Sequence, residues 1–160
     1  MTNLSSFSQD YPKAGDAAVN GLFGGLVAGV GMAIALVTTG LVTGSSVAST
    51  LARFDPSNSG QALTGTLAHL AVSGTYGLIF GLIWSTATRL MRVHPSLWQS
   101  VLAGGGYGLM LWLAAHFVLL PGTQSPMREL AIWQFLSAHL VYGLLLGWRV
   151  GRSGQQDLSI

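Results

Sequence analysis

Residues 17–33 read AAVNGLFGGLVAGVGMA, and within them Ala17, Gly21, Gly25, Gly29 and Ala33 recur at every fourth position. In an α-helix this spacing sets small side chains in one column, along which a second backbone can approach closely. The stretch carries no formal charge and belongs to a longer uncharged run from 17 to 52, with three more at 56–88, 93–127 and 130–148. Each run has room for the ~20 residues that cross a hydrocarbon core of roughly 30 Å at about 1.5 Å per residue. The fold expected is all-α, an integral membrane four-helix transmembrane bundle with spans at about 18–43, 63–87, 97–120 and 130–149. It forms a single membrane domain over 1–160, with polar tails at 1–16 and 150–160.

Composition agrees with lipid as the solvent. Half of the 160 residues are hydrophobic and 8% are charged, against ~25% charged in a soluble domain. That balance excludes an ordinary water-soluble enzyme. Cysteine is absent, so disulfides, thiolate metal sites and cysteine nucleophiles are excluded together. The basic residues lie at span ends and in tails, where they read as topology signals; nucleic acid is not an expected partner. With four spans, Lys13, Arg89, Arg92, Arg149 and Arg152 share one side and Arg53 and Arg128 the other. This asymmetry predicts both termini inside, on the cytoplasmic face of the membrane. The first sixteen residues contain no apolar core of a cleavable signal, so the first span is expected to direct insertion. Asn3-Leu4-Ser5 matches a glycosylation acceptor, read here as chance in a cytoplasmic tail.

The column of small residues is repeated in the other spans. Ser73, Gly77, Gly81 and Ser85 form one on span 2, Gly104 and Gly108 on span 3, and Gly143, Gly147 and Gly151 on span 4. Their expected role is helix packing through van der Waals contact, since lipid gives helices no hydrophobic drive to associate. A short repeat accompanies them. Tyr76-Gly77-Leu78-Ile79-Phe80-Gly81 matches Tyr142-Gly143-Leu144-Leu145-Leu146-Gly147, and Tyr107-Gly108-Leu109 partly matches Phe23-Gly24-Gly25-Leu26. The order of these elements predicts two helical hairpins in parallel orientation.

The candidate binding residues are the histidines within the spans, because an imidazole at membrane depth is costly and tends to face protein, water or ligand. His69 stands four residues before Ser73, His139 four before Gly143, and His116 eight after Gly108. All three are expected on packing faces at similar depth, with Tyr142 three residues from His139. Three uses are open. Each ring can bond a carbonyl or hydroxyl on a neighbouring helix, such as Thr64, Thr66, Ser73 or Ser137; it can hold haem, a chlorophyll-type pigment or a quinone; or it can relay protons. The first needs the fewest assumptions, so no cofactor is the leading expectation. His94, beside Pro95, reads as a surface residue.

No other catalytic pattern is found. No carboxylate lies inside a span, and there is no zinc-protease motif, phosphate loop, serine elbow or acidic metal set. Trp84, Trp98, Trp133 and Trp148 read as interfacial anchors, and Trp112 as a packing residue in mid-span.

The repeated Tyr-Gly-Leu-x-x-Gly elements, with His69 before Tyr76 and His139 before Tyr142, resemble those of small four-helix bacterial membrane proteins. In size and compactness the chain is also similar to accessory subunits of respiratory or photosynthetic electron-transfer assemblies, such as alternative complex III or terminal oxidases. This resemblance implies a non-catalytic structural subunit whose partners are the lipid bilayer and other integral membrane subunits. The alternative is a self-contained protein that binds haem, pigment or quinone through its histidines, or a small transporter.

Overall fold

A computed structural model describes residues 13–156. The first twelve residues, including Asn3-Leu4-Ser5, and residues 157–160 of the tail lie outside that range. Among the described residues the chain is all-helical, as its uncharged runs predicted. Five α-helices occur: α1 (Ala14–Val42), α2 (Val47–Ala52), α3 (Ala62–Met91), α4 (Leu97–Ala114) and α5 (Ile132–Gln156). Three segments are long and apolar enough to cross a membrane: α1, α3, and α4 with its continuation to Gly122. α5 has 25 residues and is more polar, carrying Gln134, Ser137, His139, Arg149 and Arg152.

Local chemistry sets most of the boundaries. Gly44, with φ of 87°, turns the chain after α1, where a left-handed residue suits glycine. α2 was not anticipated; it is one short helix held by a reciprocal cap between Ser46 and Ser49, too brief to show a period. α3 ends at Arg92, which takes the left-handed conformation with φ of 54°. α4 starts with another reciprocal cap, Ser96 with Gln99. After Ala114 the same segment widens into one π-helical turn, Ala115–Leu119, and then tightens into a 3-10 turn around Pro121. Ser125 caps a separate 3-10 turn, Pro126–Glu129, with the proline at its first position. Leu130 is extended and breaks the run, and α5 begins two residues later with Gln134 receiving the Ala131 N–H.

The long helices alternate in direction and form two close pairs. In the first, α1 lies antiparallel to α3, and a Cβ placed on Gly77 would meet the backbone of Gly21 and Gly25. In the second, α4 lies antiparallel to α5, and a Cβ on Gly143 would meet the backbone of Gly104 and Gly108. Gly81 stands against Ala17 and Gly21, and Gly147 against Ser100. Ser73 closes the column of the first pair against Gly25 and Gly29. Tyr76–Gly81 and Tyr142–Gly147 thus hold matching places, each on the second helix of its pair.

Two seams join the pairs. Between α1 and α5, Leu146 and Val150 fit over Gly24, and Leu145 and Val141 over Gly31. Ala28, Leu36, Ala138 and Leu146 are at most 1% exposed there. Farther along, Gln134 donates to the Thr39 carbonyl at 3.2 Å. Between α3 and α4 contact is sparse. The Tyr107 hydroxyl donates to the Tyr76 carbonyl at 2.9 Å, and the Phe80 ring lies 5.1 Å from that of Tyr107. The outside of the molecule is built from large apolar residues: Phe23, Ile34, Leu67, Leu102 and Phe117 are each more than half exposed. With glycine at its contacts and bulky apolar chains outside, the fold is organised as expected of one packed in lipid.

Candidate functional site

Beyond Tyr107 the α3/α4 seam opens into a cavity of about 480 Å³. Its walls come from α3 (His69, Val72, Ser73, Tyr76), α4 and its continuation (Leu111, Ala114, Ala115, Leu119) and α5 (Phe135, His139, Tyr142). Met32 of α1 is at its back, and the loops before α3 and α5 supply Phe54, Asp55, Asn58, Gln124 and Met127 at its end. Val72, Ala114 and Leu119 are exposed as well as cavity-lining, so the mouth lies on the flank of the molecule between α3 and α4.

The structure brings His69 and His139 to this one cavity, each 8% exposed. His69 Nε2 is 3.0 Å from the Gly29 carbonyl across the helix contact, and the ring stacks on Phe54 with centroids 4.4 Å apart. His139 Nδ1 is 2.8 Å from the Phe135 carbonyl one turn back on its own helix, and its ring meets Phe135 edge-on. His69 thus bonds a carbonyl on a neighbouring helix, one of the uses open to it, whereas His139 bonds one on its own helix, and none of the suggested hydroxyls is involved. Tyr142 lines the cavity with its ring, while its hydroxyl donates to the Ser73 carbonyl at 2.7 Å.

His116 is not part of the wall. It sits in the π-helical turn, half-buried, stacked on Trp112 at 5.6 Å. Eight residues at about 100° each carry a side chain some 80° around from Gly108, and the wider turn shifts the phase again. The two cavity histidines are also not equivalent positions of the repeat: the Ser73 carbonyl lies against Gly25, and it is the His139 carbonyl that lies against Gly108.

Several wall residues lacked a sequence signal of their own. Asp55 is 2% exposed. Its Oδ1 accepts from the N–H and hydroxyl of Ser57, and its Oδ2 from the N–H and hydroxyl of Ser59 and the N–H of Gln61, at 2.7–3.1 Å. These donors, the Ser57 hydroxyl foremost and then those of Ser59 and Gln61, hold the carboxyl well below the ordinary carboxylate range. The Asp-Pro-Ser-Asn-Ser run is a turn formed around a carboxylate, and it carries Phe54 onto His69. Trp112 Nε1 is the buried side-chain nitrogen without a partner among the described residues. Trp98 and Trp133 are more than half exposed, and Trp148 holds Arg152 over its ring at 5.0 Å. No group of three or more metal-ligating side chains gathers among the described residues. Comparison with family models, curated proteins and solved structures finds no match to this chain.

Proposed function

We propose that this chain is a four-span protein of the bacterial cytoplasmic membrane, both termini inside, that holds a small lipophilic molecule between α3 and α4. One observation carries the reading: an apolar cavity of about 480 Å³ with two buried imidazoles in its wall. Its volume falls in the ~300–1,000 Å³ range of ligand pockets, where an apolar surround and a few polar groups fix orientation. α5 serves as the fourth span because it packs against both α1 and α4, with its Gln134 and His139 buried. The orientation follows from Lys13, Arg89, Arg92, Arg149 and Arg152 at one end against Arg53 and Arg128 at the other.

Of the cofactors considered, a haem held between the two rings fits poorly. His69 has its outer nitrogen engaged by Gly29, so a planar macrocycle at Nδ1 would press on the residue's own backbone. A single substituted ring with an apolar tail, as in quinones and related phenols, fits the flank mouth and needs no iron. The test is to purify the protein from its own membranes in mild detergent and analyse the extracted lipophiles by mass spectrometry, beside Ala114→Phe. We expect one species retained by the unaltered protein and lost from the variant. Equal retention, or none in either, overturns the reading.

The accessory-subunit role is a second reading, favoured by α4. Only 11% of its membrane-length window is buried within the chain, against 33% for α1 and α3. A partner subunit of an electron-transfer complex would cover that flank. Its mark in the same purification is a stoichiometric membrane subunit that cross-links to Leu102 or Leu113; purification as a lone chain counts against it.

A further inference from the structure

The two imidazoles are held in opposite tautomers, and this limits what the cavity can bind. A carbonyl oxygen only accepts, so the nitrogen facing it must carry the proton. In neutral His69 the proton is then on Nε2, which donates to Gly29, and the lone pair is on Nδ1. In neutral His139 the proton is on Nδ1, which donates to Phe135, and the lone pair is on Nε2. Among the described residues neither lone-pair nitrogen has a hydrogen-bond partner, and both rings line the cavity. The nearby carboxylate of Asp55 is a further acceptor, already occupied by five donors. The Tyr142 hydroxyl is engaged by the Ser73 carbonyl, and the Ser73 and Tyr76 hydroxyls elsewhere in the wall can donate to the oxygen of a hydroxyl head that gives its own proton to a histidine.

We infer that the cavity selects a lipophilic molecule with a hydroxyl-bearing head, a phenol or quinol, over its ether, ketone or quinone counterpart. This rests on the proposed ligand-binding function and deepens it. A hydroxyl donates to the His139 Nε2 or His69 Nδ1 lone pair; a carbonyl or ether oxygen there would set acceptor against acceptor, leaving buried polar atoms unpaired. A metal ion would also use such lone pairs, but a third protein ligand is missing from the described residues. The inference concerns binding alone and requires no electron transfer.

The probes are para-heptylphenol and para-heptylanisole, in which a methyl group replaces the hydroxyl hydrogen, titrated into the protein in phosphatidylcholine nanodiscs. The phenol should bind at least about ten-fold more tightly, roughly one well-made hydrogen bond. His139→Phe should lower phenol affinity toward that of the ether and leave the ether unchanged. Equal binding of the two probes overturns the inference while sparing the cavity function; binding of neither overturns both. Nitrogen NMR of ring-labelled histidine in the unaltered protein is an independent check. It should find one ring protonated at Nε2 and the other at Nδ1, and the same tautomer in both overturns the inference.

Discussion

The two seams between the helix pairs are built from the same kinds of helix, yet one is filled and the other is hollow. At the α1/α5 seam, Leu145, Leu146 and Val150 meet glycines and leave no room. At the α3/α4 seam, Tyr107 and Phe80 make the contact at one level, and beyond them the walls part. A bundle of two like hairpins would present two like seams. The difference shows that glycine columns secure each hairpin independently, so that one seam between them can be left open without loss of the fold.

The largest effect should come from breaking a hairpin. In Gly77→Leu the new side chain would run into the backbone of Gly25 and Gly21, and in Gly143→Leu into that of Gly108 and Gly104. Rigid backbone cannot give way as a side chain can, so each should cost more than the ~1–3 kcal/mol of ordinary overpacking. Little folded monomer should be recovered by size-exclusion chromatography. Gly106→Ala is the control: nothing lies within 4 Å of its Cβ position, and relief of helix-interior glycine should make it neutral or stabilising by up to ~1 kcal/mol.

Next in size is acid, which acts at the hollow seam and should leave the filled one untouched. The folded-state carboxyl of Asp55 titrates well below the ordinary value of about 3.9, so it binds fewer protons folded than unfolded in that range. Its stabilisation is complete above about pH 4 and is lost as the pH falls from there toward the folded value. Thermal unfolding followed from neutral pH to about pH 3 should show a decline that is smaller in Asp55→Asn. Superimposable pH profiles of the two proteins would remove Asp55 as the cause.

The smallest effects belong to the bonds that cross to α3. Tyr142→Phe removes the donor to the Ser73 carbonyl and should cost roughly 1 kcal/mol, within the ~0.6–2 kcal/mol span for hydrogen bonds between membrane helices. Tyr107→Phe removes the shallower bond to Tyr76 and should cost about half as much. Unfolding titrations in mixed detergent micelles can rank the two. If Tyr107→Phe proves the costlier, the hollow seam is held at its closed end and not through α5.

The helical class and the contact columns were legible because both depend on local spacing. Residues at intervals of four share a face whatever surrounds them, and Gly21, Gly25, Gly77, Gly143 and Gly147 stand where the backbones meet. The cavity was legible only in part. His69 and His139 could be noticed as polar rings in apolar runs, but their meeting depends on how the two pairs dock, which no single-helix period encodes. At His116 spacing stops being informative: over eight residues and into a π-helical turn, the periodicity no longer identifies a face. α2 and the part played by the Asp55 carboxylate in its turn had no signal, because both depend on a few serine hydroxyls and serines are common throughout the chain.

The mouth between Val72 and Ala114 has a consequence for how occupancy is controlled. In the membrane reading, a ligand entering there comes sideways out of the hydrocarbon of one leaflet and never crosses bulk water. The quantity that sets saturation is then its mole fraction among the lipids of that leaflet, and dilution with added vesicles should empty the cavity at constant aqueous volume. Such a protein would report on membrane composition more directly than on anything dissolved in the surrounding water.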